Sequence, residues 1–311
     1  MPLTAPSFAN RRGIIAMCTA MACFVTNDAL VKYTSESMAS AQLIFIRGLF
    51  ATALLLAVAT AQGAFTWPGQ RARCATHGLR HLLDRRVLLR AGLDAFATVA
   101  YLTALFNMQI GNATAINMAA PLFITLIAVL ALGEKVSPAR WVAVACGFAG
   151  VLLIVQPAGD AFNSWALLCL LGTLAHAGRD LMTRVIDKSV PSILITVATA
   201  VAVTVLAAAW TALQGWHAPS ARQLALLAAA SVFLSGGYYL IIVGMREGEM
   251  SVIAPFRYTG LLYALLVGWV VWRNVPNALA WTGIVLLMGA GLYILRSERN
   301  RARVGLEAAA D

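Results

Sequence analysis

The sequence predicts an all-α integral membrane protein, with ten transmembrane helices forming two inverted five-helix repeats. Composition is the first indication: 60% of the 311 residues are hydrophobic and only 12% are charged, far more apolar than a soluble domain needs to fill its core. Segmentation is the second. The apolar residues gather into ten runs, most of them near the roughly 20 residues a helix needs to cross a bilayer with its own backbone amides satisfied. The third is an acid and base pattern on the first run that returns on the sixth.

The runs are Gly13–Val31, Ala39–Ala61, Val87–Met108, Ala113–Leu132, Trp141–Val155, Trp165–Met182, Ile193–Leu213, Leu224–Met245, Val252–Trp272 and Leu279–Leu295. The first follows a basic flank, "RRGIIAMCTAMACF", and is too long for a signal-peptide core, so it is expected to remain as an uncleaved span. A basic loop with Arg71, Arg73, Arg80, Arg85 and Arg86 separates the second span from the third. Positively charged loops stay cytoplasmic. With the N-terminus inside, only Lys32, Arg222 and Arg273 fall at the outer face, so both termini are expected in the cytoplasm. "GEKVSPARWVAVACGFAGVLLI" after the fourth span parallels "RNVPNALAWTGIVLLMGAGLYI" after the ninth. Each is a polar corner followed by a helix whose small residues let neighbouring backbones approach. The expected division is residues 1–158 for one repeat, 159–296 for the other and 297–311 for a cytoplasmic tail.

The first span ends "TNDALVK", with Asp28 four residues before Lys32, and the sixth ends "AHAGRDLMTR", with Asp180 four before Arg184. Residues i and i+4 share a helix face, so each acid can neutralise its base. Five spans separate the two helices, which places one pair toward the outer boundary and the other toward the inner. That is the trace of two halves with opposite topology, common in secondary transporters. Each pair is either a gate near one mouth or a static bridge fixing helix packing. Arg179 adds a charge with no assigned partner. His176, near mid-membrane, is either a proton relay or a histidine bonded to a carbonyl.

"NATAINMAAPLFITLIAVLALGEKVS" in the first half and "SVIAPFRYTGLLYALLVGWVVWRNVP" in the second carry a resemblance. Over nearly its whole length the chain resembles the drug/metabolite transporter superfamily, specifically its EamA-type members. The most specific motif is a proline-containing helix of small residues leading to a Gly-Glu corner, Pro121 to Gly133-Glu134; in the second half Asn274 stands where an acid is usual. The resemblance implies a carrier with alternating access and a central cavity lined by the third, fourth, eighth and ninth helices.

A charge at mid-bilayer costs roughly 2.5–3.5 kcal/mol, so buried charges face a cavity or a partner. On the third span Asp94, Thr98 and Tyr101 form a polar stripe; Asp94 binds a substrate ammonium group or a coupling proton, or pairs with Arg90 one turn away. On the fourth, Thr114, Asn117, Pro121 and Thr125 recur similarly, and Pro121 either frees a carbonyl for a solute or kinks the helix for packing. Tyr238 and Tyr239 follow two glycines on the eighth span, as cavity ligands or interfacial anchors. On the ninth, Arg257 offers a fork for a carboxylate beside Tyr258, or snorkels to the boundary. Arg47 on the second span has no charged counterpart, since Thr199 holds the equivalent place on the seventh; it is a solute ligand or a partner of Asp28.

Four of the five cysteines, Cys18, Cys23, Cys146 and Cys169, lie in apolar segments without metal or disulfide spacing. The sequence has no phosphate-binding loop, HExxH or GxSxG motif. No enzyme activity, metal or cofactor is expected. The net charge of +10 is spread over loops and tails, so no nucleic-acid partner is expected either. The expected partners are the lipid bilayer, a small-molecule solute and a proton as candidate coupling ion. Abundant arginine and alanine point to a bacterial inner membrane. Arg47, Arg257 and Asp94 suit a zwitterion such as an amino acid or related metabolite; a non-transporting membrane sensor or scaffold is the second reading.

Overall fold

Every regular element among the described residues is helical, and helix occupies each of the ten apolar runs. The computed structural model describes residues 8–61, 84–133, 137–156, 163–186, 190, 192–247 and 253–307. Arg71, Arg73, Arg80, Glu134 and Lys135 lie outside the described residues. The helices are α1 Phe8–Ser35, α2 Ser40–Ala61, α3 Arg85–Asn107, α4 Ile110–Asn117, α5 Ala120–Leu132, α6 Pro138–Val155, α7 Trp165–Val185, α8 Ser192–Gln214 and α9 Ala221–Glu247. A 3-10 turn at Ala254–Tyr258 leads into α10 Thr259–Trp272, and α11 runs Ala278–Glu307. The last helix thus continues well past the expected end of its span, through most of the tail.

Among the described residues, seven helical segments are long and apolar enough to cross a membrane: α1, α2, α3, the α4–α5 pair, α6, α8 and α9. A shorter apolar helix covers Ala278–Ile294. The charged residues of α7 lower its mean hydropathy, and α10 is only 14 residues long. Large apolar side chains such as Leu130, Val205 and Leu213 stand exposed, as lipid-facing residues do.

Two of the apolar runs are interrupted. The fourth breaks at Met118–Ala119, with Pro121 in the first turn of α5, where its missing N–H is least costly. The ninth opens as the 3-10 turn, again with a proline, Pro255, in its first turn. Both following helices then end in a left-handed residue, α5 at Gly133 (φ 65°) and α10 at Arg273 (φ 55°). Counted back from that residue, α5 starts 13 residues and α10 14 residues before it, and counted forward both next helices start five residues on. Glycine adopts this cap without strain. At Arg273 the cap is held by amide bonds from Arg273 to Trp269 (3.0 Å) and Asn274 to Gly268 (3.1 Å), with the guanidinium 5.7 Å from the Trp269 ring centre.

The chain divides into two compact units, each drawing on both sequence halves. Unit 1 comprises Met1–Thr26, Met108–Leu167 and Gly236–Asp311. Its α6 and α11 cross at Gly150 and Gly283, where a side chain on Gly150 would meet the Gly283 carbonyl at 2.7 Å, and one on Gly283 would meet the Gly150 carbonyl. Its α4 packs against α10 through Gly111 on Leu265 and Gly268 on Ile110. Met17, Ala20, Met21 and Ile253 form a buried cluster, with Phe24, Leu240 and Phe256 around it.

Unit 2 comprises Asn27–Asn107 and Leu168–Ser235. Here Gly48 of α2 admits Thr204 of α8, and the Thr52 and Thr204 hydroxyls bond at 3.2 Å. Gly172 of α7 lies on the α3 backbone, where a side chain would meet the Tyr101 nitrogen at 3.1 Å and the Ala97 carbonyl at 3.2 Å. Val87, Ile186, Val190 and Ile195 close one end of the α3–α8 contact.

The glycine crossing in unit 1 is directly testable. Gly283→Val forces the two backbones apart and is expected to cost about 1–3 kcal/mol of stability, read as a lower unfolding temperature of detergent-purified protein. Gly289→Ala on the same helix, where nothing lies within 4 Å, is expected to leave it unchanged. Equal effects would show that the crossing is not tight.

Candidate functional site

Unit 2 contains a continuous chain of polar side chains inside apolar helices. Its centre is Asp94 of α3, whose carboxylate is 8% exposed and accepts from Arg179 Nη1 of α7 at 2.7 Å. Arg90 Nη1 lies 3.6 Å from the other oxygen, one turn along α3. His176 Nε2 is 4.0 Å from Asp94 Oδ1. The same Arg179 guanidinium donates from Nε and Nη2 to Asp180 Oδ1 at 2.9 and 2.8 Å. Arg90 reaches two further helices, donating to Thr183 at 2.9 Å on α7 and to Thr199 at 2.7 Å on α8.

Two turns along α3, about 10 Å away, the chain continues. Tyr101 has its ring 6.2 Å from the His176 ring and donates its hydroxyl to Asp28 Oδ2 of α1 at 2.9 Å. The Asn27 amide donates to Asp28 Oδ1 at 2.9 Å. Arg47, buried on α2, is close enough for its charge to act on Asp28. Arg47, Arg90 and Arg179 thus stand near Asp28, Asp94 and Asp180, so that opposite charges are gathered together, as charges in a membrane require.

At Asp28 and Lys32 the partners differ from those that helical spacing suggested. Asp28 is bonded to Tyr101 and Asn27, while the buried Lys32 ammonium donates to the carbonyls of Leu105 at 2.7 Å and Phe106 at 3.3 Å. Those are carbonyls of the last turn of α3, which has no intrahelical donor for them and a negative dipole end. Lys32 is therefore a cap supplied by another helix. Asp180 takes Arg179 as its partner, and the Arg184 side chain lies outside the described residues. Arg179, unassigned in the sequence, is the cation that neutralises Asp94 across α3 and α7. Its partner was findable only as the one acid on a neighbouring span at similar depth.

Unit 1 holds the remaining candidates. Arg257 is exposed on the 3-10 turn, while Tyr258 beside it is 5% exposed and its hydroxyl has no hydrogen-bond partner among the described residues. That hydroxyl lies over Gly291 of α11, leaving no room there for a side chain. On α4, Asn112 Oδ1 and Thr114 Oγ1 are buried and equally unpartnered, and Asn117 ends the helix at the break. Asn112 was not among the sequence candidates, because it falls outside the Thr114–Asn117–Pro121 stripe. Thr125 bonds back to the Pro121 carbonyl at 3.0 Å and receives Arg140 at 3.4 Å. Tyr238 meets Phe24 edge to face at 5.2 Å, and Tyr239 is 66% exposed. Thr98, in unit 2, is partly buried on α3.

The sequence matches the EamA-like transporter family twice, over residues 11–156 and 163–296. The chain belongs to that family. Its members are transporters rather than enzymes, so this EamA-like chain is a membrane transporter of small metabolites. It is similar to a riboflavin transporter of Rhizobium johnstonii, 32% identical over 70% of this chain and 72% of that protein. It also resembles an S-adenosylmethionine uptake transporter of Rickettsia prowazekii, 26% identical over 88% of this chain and 89% of the other. A pseudopaline exporter of Pseudomonas aeruginosa is 25% identical over 93% and 98%. One crystal structure superposes with a TM-score of 0.62 at 18% identity, covering 92% of this chain and 98% of its own, which supports the fold alone.

The cross-helix cap predicts that Lys32→Met costs about 1.5–3 kcal/mol, the worth of a buried charge-assisted hydrogen bond, with Lys32→Arg much milder. Chemical unfolding of the detergent-purified variants measures this. Full stability in Lys32→Met would remove the capping role.

Proposed function

We propose that the protein is a secondary carrier that moves a small polar organic solute, an amino acid or related metabolite, across a bacterial inner membrane by alternating access. On this reading it has ten spans in two inverted repeats, residues 1–158 and 159–296, with both termini in the cytoplasm. The observation that carries it is the interruption of two helices within unit 1, each ahead of a left-handed cap, beside the oxygens of Asn112, Thr114 and Tyr258, which are buried and unpartnered among the described residues. Broken helices are where secondary transporters expose backbone and side-chain ligands to a solute. A buried polar atom left unpaired costs roughly 1–3 kcal/mol, so three of them suit a site that a polar ligand completes.

The roles divide by chemistry. Arg257, exposed on its turn, is the clamp for a carboxylate, because its planar fork matches two oxygens. Tyr258, Asn117 and the α4 oxygens supply acceptors and donors for the rest of the solute, and Tyr238 and Tyr239 supply aromatic faces. Asp94, held by Arg179, is a gate element rather than a ligand for an ammonium group. Asp28, Lys32, Arg47, Thr98, Tyr101, His176 and Asp180 belong to the same gate. Uptake and export both occur among the relatives' names, which supports the solute class and leaves direction to gradients.

Flux into proteoliposomes of a panel of radiolabelled amino acids and amino-acid-bearing metabolites tests the proposal. At least one is expected to enter by saturable transport, and Arg257→Lys is expected to raise its half-saturation concentration on the order of tenfold through loss of the fork. No flux across the panel, together with protection from thiol reagents of single cysteines placed at 98, 117, 238 and 258 in a cysteine-free background, would favour a closed scaffold instead.

A further inference from the structure

We propose that Asp28, two turns from Asp94 along the same polar chain, is the proton-binding acid of this protein. The two carboxylates sit in one unit among the same helices, but their surroundings differ in kind. Asp94 receives a guanidinium at 2.7 Å and has a second at 3.6 Å. The direct donors to Asp28 are both neutral, the Tyr101 hydroxyl and the Asn27 amide, each at 2.9 Å. An acid whose direct donors are neutral is the one arranged to take up and give back a proton.

The cage around Asp28 is built for both states. Asn27 is 2% exposed; its Nδ2 donates to Asp28 while its Oδ1 is buried with no donor facing it. When a proton from water converts the Asp28 carboxylate to the acid, the new O–H needs an acceptor. Rotation of the Asn27 amide by half a turn presents Oδ1 in place of Nδ2, so the acid donates to the amide where the amide had donated to the carboxylate. The otherwise unexplained orphan oxygen thereby acquires its partner in the protonated state. The turn exchanges the Nδ2–Asp28 bond for the acid's bond to Oδ1 and moves Nδ2 to the place Oδ1 held; on release, the proton returns to water and the amide turns back.

Among the described residues, charged and titratable groups face Asp28 from three other helices. Arg47 of α2 acts on it through space, Tyr101 of α3 bonds it, and His176 of α7 lies behind the Tyr101 ring. Lys32, one turn on along α1, is committed to the Leu105 and Phe106 carbonyls. His176 stands between the two acids, 4.0 Å from Asp94 and in ring contact with Tyr101, and so is a positioning group between them. This inference rests on the carrier reading for its use, as the coupling site of the transport cycle, but not for its test.

That test reads the proton itself and needs no solute. Difference infrared spectroscopy of the detergent-purified protein between alkaline and acid pH is expected to show the C=O band of a protonated carboxyl in the wild type. The band should be missing in Asp28→Asn and retained in Asp94→Asn. Should Asp28→Asn fail to fold, the conservative pair decides: Asp28→Glu shifts the band to another frequency and Asp94→Glu leaves it in place. A band that survives Asp28→Asn unchanged, that is unmoved in Asp28→Glu, or that follows Asp94 instead overturns the proposal. Solute flux without an Asp28 band would refute the proton site and keep the carrier; an Asp28 band without flux would do the reverse.

Discussion

The contact between Arg179 and Asp94 is the constraint around which unit 2 is arranged. Neither charge can stand alone among apolar helices. Their 2.7 Å approach fixes the register of α3 against α7. From that register the other contacts follow: Arg90 meets Thr183 one turn to one side, and Gly172 lies on the backbone of Ala97 and Tyr101 two turns to the other. Residue numbers rise on α7 as they fall on α3, so the helices run antiparallel. Gly172 is what brings the backbones near enough for the side chains to meet, since any Cβ there would strike the α3 backbone.

With Asp94 satisfied by α7, Arg90 is available to α8 through Thr199, which ties a third helix to the network. Asp28 is left to neutral donors, and Lys32 to the end of α3. One pairing thus sets the roles of its neighbours. Unit 1 follows another logic. There the strongest constraints are backbone ones, two glycines in mutual contact and two helices interrupted beside prolines, and its polar atoms at Asn112, Thr114 and Tyr258 are left without partners. A satisfied ionic chain gives rigidity and a defined switch. Unsatisfied oxygens beside broken helices give a place for a ligand, and the proposed carrier needs both.

Much of the fold was legible in the sequence because the bilayer reads it simply. Apolar runs became helices, and Pro121 marked its own break within three residues. The small residues of the segments after the fourth and ninth spans became the crossing of α6 and α11. Ionic pairing was less legible, for a specific reason. The i, i+4 rule describes neighbours on one helix, and it favoured Asp28 with Lys32; for its other pair, Asp180 with Arg184, the Arg184 side chain lies outside the described residues. A lysine near a helix end can instead reach another helix's carbonyls, and an arginine can bridge two acids, one beside it and one across an interface. Those choices depend on inter-helix register, which one sequence does not contain. The acid of Asp94 and the unassigned cation of Arg179 were both visible, but not their meeting.

The account's central claim is that Arg179 and Asp94 are energetically coupled. A double-mutant cycle with Asp94→Asn, Arg179→Gln and the combined variant, measured by reversible unfolding in detergent, tests it most directly. The account predicts that each single change is strongly destabilising and that the double costs less than their sum by more than about 1 kcal/mol, because each single change strands a charge that the double removes. Additivity within about 0.3–0.5 kcal/mol, the behaviour of independent sites, would contradict it.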